Sequence, residues 1–415
     1  MLAHSSRDFN DVFKKSLTLG PLEPERRYGP PREDDGDGSE TASAACVRWI
    51  ADDRRKTFLA DVGVGTIDQA VLGVLPSKHQ AMRLVGLCRR VLVIDEIHSL
   101  DAYQNSLVEA LLTFHAALGG SAILMSATLT LASRQRLVAA FAIGAGWPKR
   151  GLTERNFPLA TIVDAHGARE QKIDAGRGTR RDLNIQRLPD ASVAMSVLAE
   201  AAREGRAAVW IRNTVQDARD AHRDLKVLLP DADVGLFHAR FALGDRLEIE
   251  RGVLESFGKK SEVHERNRIL IATQVVEQSL DCDWDIMITD LAPIDLIIQR
   301  AGRLHRHDHR PTRPEPVLYV VAPDPTNDPG ANWYEAAFPR GAFVYPHHGQ
   351  LWLTMRALLD AGGLQLASAN PRDLIERVYA TDAAIPAGLD RPSEKAEGRI
   401  SSERAVGRMN ALALA

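Results

Sequence analysis

The stretch VLVIDEIHSLDAY, Val91 to Tyr103, decides how the rest of the chain is read. Its apolar opening predicts a continuous buried strand that runs into Asp95 and Glu96, with His98 two positions further on. Two adjacent carboxylates at a strand end admit two readings. In one, Asp95 caps the helix that follows and Glu96 complements its dipole. In the other, they serve nucleoside triphosphate hydrolysis, which needs an anionic ligand for Mg²⁺ and a second carboxylate to orient the attacking water. The tetrapeptide DEIH alone weighs these evenly.

Outward from this stretch the pattern is α/β. Leu107, Val108, Leu111, Leu112 and Leu118 fall at helical spacing over residues 103–118, the strand SAILMSAT follows, and a helix is expected near 134–141. Strands alternating with helices imply a parallel sheet covered on both faces. Residues 165–179, polar and glycine-bearing, predict a linker. Beyond it AAVWIRN, DVGLFHARF, RILIATQ, DIMITDL and PVLYVVAP predict a second set of strands, with Asn213 or Thr214 capping the helix after the first of them. The expected architecture is thus two tandem parallel-sheet α/β domains, 1–170 and 180–323, with a helical extension over 324–415 whose Trp and Tyr residues pack it onto the body.

Composition narrows the class. A chain of 415 residues exceeds one ordinary core, and 45% apolar with 26% charged residues is the balance of a soluble globular protein. A net charge of -3 gives no global signal for nucleic acid. Three scattered cysteines, Cys46, Cys88 and Cys282, have no metal-ligand spacing and point to a reducing compartment. No apolar run approaches a membrane span and no signal peptide is evident, so the reading is cytoplasmic. The acidic, glycine- and proline-rich stretch 30–45 predicts a surface loop.

Two further motifs shift the balance at Asp95 and Glu96. SATL, Ser126 to Leu129, ends the next predicted strand, where its hydroxyls can reach His98 or Asp95. QRAGRLHRH, Gln299 to His307, places Arg303 and Arg306 three apart, so that on a helix or tight turn they share a face and can reach one polyphosphate.

In order, DEIH, SATL, ATQVVEQSLD (272–281) and QRAGRLHRH resemble the motifs of superfamily two DExH helicases. With GVGTIDQAVL, Lys78–His79 and ITDLAPIDLIIQRAGRLHRH, the chain is similar over about 2–323 to the CRISPR-associated helicase-nuclease of type I systems. The resemblance implies two RecA-like domains that use ATP and Mg²⁺ to move single-stranded DNA, recruited by a CRISPR RNA-guided, Cascade-type target-recognition complex. It implies that Asp95 holds Mg²⁺, Glu96 polarises the attacking water, and His98 relays between nucleotide state and strand movement. Ser126, Ala127 and Thr128 couple the two. Asp281 approaches the nucleotide, and Gln299, Arg303 and Arg306 face its phosphates. Thr66, Asp68, Gln69, Asn213, His238, Arg240, Thr273 and Gln274 line the nucleic-acid track.

The departures shape the expectation as much as the matches. No glycine-rich loop ending in GK[ST] occurs; Gly258 to Ser261 comes nearest, at the wrong spacing. The resemblance therefore implies a fragment with an incomplete first domain, without the family's nuclease, whose sheet exposes apolar residues meant for burial. His307, Asp308 and His309 read as a charged loop rather than a metal site, and His347 and His348 as packing or surface residues. Another superfamily two helicase, or a catalytically silent nucleic-acid-binding module, is the competing reading.

Overall fold

A computed structural model describes residues 2–3, 54–149, 151–174, 181–277, 280–307, 313–366, 370–380 and 382–414. The predicted acidic loop at 30–45, and Asp308 and His309, lie outside the described residues. The chain divides into two compact units: Met1–Leu152 with Val163–Arg169 and Ile400–Ala415, and Thr153–Ile162 with Glu170–Arg399.

In the first unit, strands β1 (Leu2–Ala3) and β2 (Val64–Gly65) pair in parallel, as do β3 (Val91–Ile94) and β4 (Ser121–Leu124), with Ile94 opposite Leu124. The expected continuous burial of VLVI does not hold. Leu92 and Ile94 face the core, whereas Val91 and Val93 are 62% and 54% exposed. Ile123 and Met125 are also exposed, so among the described residues one face of the pair is apolar and exposed. The other face packs on helix Ala102–Ala117 through Leu107, Val108, Leu111 and Leu112. That helix starts where Asp101 accepts from the Gln104 amide at 2.7 Å while Gln104 Oε1 accepts from the Asp101 amide at 3.3 Å. Such a cap contributes about 1 kcal/mol. Helix Leu131–Ala145 lies close beside it: a Cβ on Gly144 would meet the Thr113 carbonyl oxygen at 2.0 Å, so the site admits only glycine. The segment 400–414 completes this unit, with Ser106 Oγ donating to the Arg404 carbonyl and the Leu412 amide to that of Val74.

The predicted linker at 165–179 is a correction in part, since its described portion holds a strand. β5 (Leu159–Asp164) and β6 (Gly167–Lys172) form a two-stranded sheet, turned where Asp164 accepts from the His166 amide and Gly167 adopts φ 123°.

The second unit is built on one seven-stranded sheet. β7 is Arg181–Leu188, β8 Ala208–Ile211, β9 Val234–Phe237, β10 Ile269–Ala272, β11 Ile286–Asp290, β12 Val317–Val321 and β13 Gly363–Leu366. Their order is β13-β7-β12-β11-β8-β10-β9, parallel except for β13. All four residues of β8 and of β10 are buried, the pattern of a parallel sheet covered on both faces. β7 and β13 escape sequence reading because RDLNIQRL and GLQL carry little β-branched or aromatic signal. Residues from 333 onward share this core: Trp333, Tyr334, Trp352, Met355 and Leu358 join the same cluster as Trp210 and Trp284.

Candidate functional site

At the carboxyl end of β3, Asp95 does not cap the long helix; Asp101 does. The Asp95 carboxylate is exposed and, among the described residues, accepts only from the Glu96 amide, at 2.9 Å. Glu96 sits at φ 51°, a left-handed conformation that costs a non-glycine residue about 1–2 kcal/mol. Its carboxylate is 63% exposed and lies 3.3 Å from His98 Nδ1. The same Nδ1 is 3.0 Å from Ser126 Oγ. Glu96 can only accept when ionised, so a proton on Nδ1 is the arrangement that serves both neighbours. Ser126 Oγ in turn accepts from the Thr128 amide at 3.2 Å, and Thr128 Oγ1 is buried with no partner. DEIH and SATL are thereby joined into one polar chain, as the sequence expected. Thr66, Asp68 and Gln69 open the short helix Ile67–Val71 that follows β2, with Asp68 exposed.

In the second unit the parallel register brings the ends of β8, β9 and β10 to one edge. The Arg212 amide donates to Ala272 O at 2.7 Å and the Thr273 amide to Phe237 O at 3.1 Å, which sets Asn213, His238, Thr273 and Gln274 beside one another. Asn213 is buried, and its Nδ2 donates inward to Leu291 O at 2.7 Å and Tyr334 Oη at 3.0 Å. That side chain is structural in this arrangement; the cap predicted for Asn213 or Thr214 falls to Thr214, whose Oγ1 accepts from the Asp217 amide. Thr273 is buried too. His238 stacks on Phe241 with ring centroids 4.2 Å apart, and burial lowers its pKa. Arg240 is exposed next to it.

The arginine motif departs from the expected shared face. Helix Ile294–Ala301 ends before Arg303, and His305 turns the chain at φ 51°. Gln299 is half-buried within the helix. Arg303 donates to the carbonyls of Glu277 and Leu280, and burial lowers its pKa. Arg306 is exposed and pairs instead with Asp281 at 2.9 Å. Asp281 therefore meets a motif arginine, with His307 at 3.7 Å. His347 and His348 are buried packing residues; His347 Nδ1 accepts from the Gln350 amide, and the His348 ring lies against Tyr334.

Sequence reading missed the residue at the centre of this network. Arg300 is fully buried, its Nε 2.7 Å from Glu277 Oε1, and it donates to Thr289 Oγ1 and the Asp290 carbonyl. Burial opposes its charge, but Glu277 overrides that and raises its pKa. The available signal was its position among Ile297, Ile298 and Ala301 on the inward face of the helix. Asp290 was also missed. It is 0% exposed and accepts from Arg212 Nε at 2.8 Å, Trp210 Nε1 at 3.1 Å and the Asn213 amide at 3.1 Å.

A strand-end DExH pair joined through histidine to a Ser-Ala-Thr turn, and a parallel sheet bearing the Gln-Arg-Ala-Gly-Arg motif, are the features on which the resemblance to superfamily two helicases rests. The chain is similar, over part of their length, to the CRISPR-associated Cas3 nuclease/helicases. Residues 204–309 match the family described as CRISPR-associated nuclease/helicase Cas3, C-terminal. The chain is 36% identical over 386 residues to the Escherichia coli CRISPR-associated endonuclease/helicase Cas3, covering 88% of itself and 40% of that protein. It is 37% identical over 411 residues to the Thermus thermophilus protein of the same name, covering 88% and 43%. A crystal structure of T. fusca Cas3 with AMPPNP superposes with a TM-score of 0.79 at 31% identity, covering 88% of this chain and 43% of that one. One chain of a CRISPR RNA-guided surveillance complex, pre-nicking, gives 0.75 at 30%, covering 87% and 45%. The chain thus spans less than half the length of these relatives. Coverage of 88% also carries the similarity past residue 323, further than the motifs had suggested.

Proposed function

We propose that this chain is the motor portion of an ATP-dependent single-stranded DNA translocase serving type I CRISPR interference against foreign DNA in the cytoplasm. The observation that supports it most is the Glu96–His98–Ser126 chain, the contact through which DEIH and SATL would exchange information. Exposed Asp95 suits Mg²⁺, which takes one or two protein carboxylates together with phosphates and water. Bound to a triphosphate, that ion would neutralise developing phosphate charge. Glu96 would orient the attacking water, and Ser126, Ala127 and Thr128 would carry the response. Arg303 and Arg306 would have to leave Glu277, Leu280 and Asp281 to face phosphates. Thr66, Asp68, Gln69, His238, Arg240, Thr273 and Gln274 would line the DNA track, with contacts mainly to phosphates and little sequence preference. Recruitment would come from an RNA-guided target-recognition complex.

The phosphate cradle does not fit: the 415 residues hold no GK[ST] loop, so turnover by them alone is expected to be low. ATP hydrolysis measured with and without a single-stranded oligonucleotide tests both parts. Salt-sensitive DNA binding with little turnover is expected. A DNA-stimulated rate abolished by Glu96→Gln would overturn the low-turnover expectation, and absence of DNA binding would overturn the motor reading.

A further inference from the structure

The chain has six tyrosines, and three of them, Tyr334, Tyr345 and Tyr379, lie in the extension after residue 323. Each sends its hydroxyl back to a point around the strand-end edge of the second unit. Tyr334 Oη donates to Leu291 O at 3.0 Å and accepts from Asn213 Nδ2 at 3.0 Å. Tyr345 Oη accepts from Gln274 Nε2 at 3.1 Å. Tyr379 Oη donates to Asp295 Oδ1, in the first turn of the arginine-motif helix, at 2.6 Å.

Gln274 is the pivotal recipient. Its Nε2 also donates to Asn213 O at 3.1 Å, so both amide protons are used inside the protein. Gln274 opens the short turn Gln274–Val276, whose far end is held by Arg300 on the Glu277 carboxylate and Arg303 on the Glu277 carbonyl. Short 3₁₀ turns have few bonds of their own and depend on such anchors. Tyr345 thus holds the near end of the turn through Gln274, while Arg300 and Arg303 hold its far end. Tyr319, by contrast, lies in β12 and its hydroxyl makes no hydrogen bond among the described residues.

We infer that Tyr345, supported by Tyr334, is a positioning residue through which the extension holds the 273–277 turn in register with the arginine-motif helix. The extension then belongs to the motor itself, and an interaction that moves residues 333–345 would be felt at the DNA-facing edge. This rests on the proposed motor reading for its link to DNA, but not for the latch.

Hydrogen exchange of the 415-residue chain, compared with Tyr345→Phe, Gln274→Ala and Tyr319→Phe, tests the latch without any ligand. Loss of one such bond predicts exchange about fivefold faster across 273–277 in the first two variants. No change is expected in the third, and melting temperature is expected to stay within a few degrees. Binding of a fluorescein-labelled oligo-dT, read by anisotropy, is expected to weaken about fivefold in Tyr345→Phe. The double variant is expected to be no weaker than the worse single one. Unchanged exchange, exchange raised throughout the unit, or unchanged DNA affinity overturns the inference. Wild-type chain that fails to bind oligo-dT overturns the motor reading instead, and the exchange data tell the two failures apart.

Discussion

Two aspartates end apolar parallel strands in this chain, Asp95 after VLVI and Asp290 after IMIT, and they meet opposite fates. Asp290 is sealed at 0% exposure under Arg212, Trp210 and the Asn213 amide. Asp95 is exposed and, among the described residues, holds only the neighbouring amide. The strands differ in the same way: β8, the sheet neighbour of Asp290's strand, and β10 beyond it are wholly buried, while every second residue of β3 faces solvent. Strand-end position alone therefore does not mark a reactive carboxylate. What decides is whether a cation is built in beside it: Arg212 neutralises Asp290 from the adjacent strand, and among the described residues no side-chain cation pairs with Asp95.

The sharpest way to break this contrast is to remove the sealed carboxylate. Asp290→Ala leaves Arg212 and Trp210 Nε1 buried without their acceptor, and the expected loss is about 3–5 kcal/mol of stability. Urea unfolding followed by tryptophan fluorescence reads it, since Trp210 and Trp284 sit in that core. A loss under 1 kcal/mol would make Asp290 as dispensable as Asp95 and sink the comparison. Acid gives a milder version. Burial lowers the pKa of His222, His238, His305, His307, His347 and His348, all in the second unit. The unfolded chain then binds protons more readily than the native one. Stability from these groups is complete above their ordinary value of 6.5 and is lost as pH falls below it. The urea midpoint of the second unit is expected to drop between about pH 7.5 and about pH 5.5, and a midpoint that rises would contradict the burial.

The sequence made part of this visible, and the reasons are physical. VLVI, AVWI and ILIA announce themselves because β-branched residues favour strands, and DEIH, SATL and QRAGRLHRH because their chemistry is unusual in combination. The His98–Ser126 contact followed from placing both motifs at strand ends. Hidden were β7 and β13, whose polar sequences become strands only by pairing with the rest of the sheet. Hidden too were the partners of Arg303 and Arg306, because the turn at His305 that separates them depends on tertiary contacts. Arg300 lies inside a recognised motif yet went unread, since a lone arginine in an apolar helix face signals burial only when its acceptors, Glu277 and Thr289, are known.

A smaller effect sharpens the comparison on the first unit's side. Ser126→Ala removes one partner from His98 and the acceptor of the Thr128 amide, at an expected cost of about 1 kcal/mol. Loss of cooperative unfolding in that variant would mean that the polar chain is a structural keystone and not a coupling element.

The smallest expected change carries the most discrimination. Asp95→Asn keeps the shape of the side chain and an oxygen to accept from the Glu96 amide, and the exposed position needs no countercharge. Stability is expected to move by no more than about 0.5 kcal/mol, the usual range for surface substitutions. A carboxylate retained for ion binding should nevertheless lose that function with its charge. Titration with Mn²⁺ as an electron-spin probe, with ADP present, is the appropriate pair to the melt. Equal stability with weakened Mn²⁺ binding supports the division between an open, reactive aspartate and a sealed, structural one. A substitution that unfolds the first unit would instead place Asp95 in the same structural role as Asp290, and the contrast between the two strand ends would be lost.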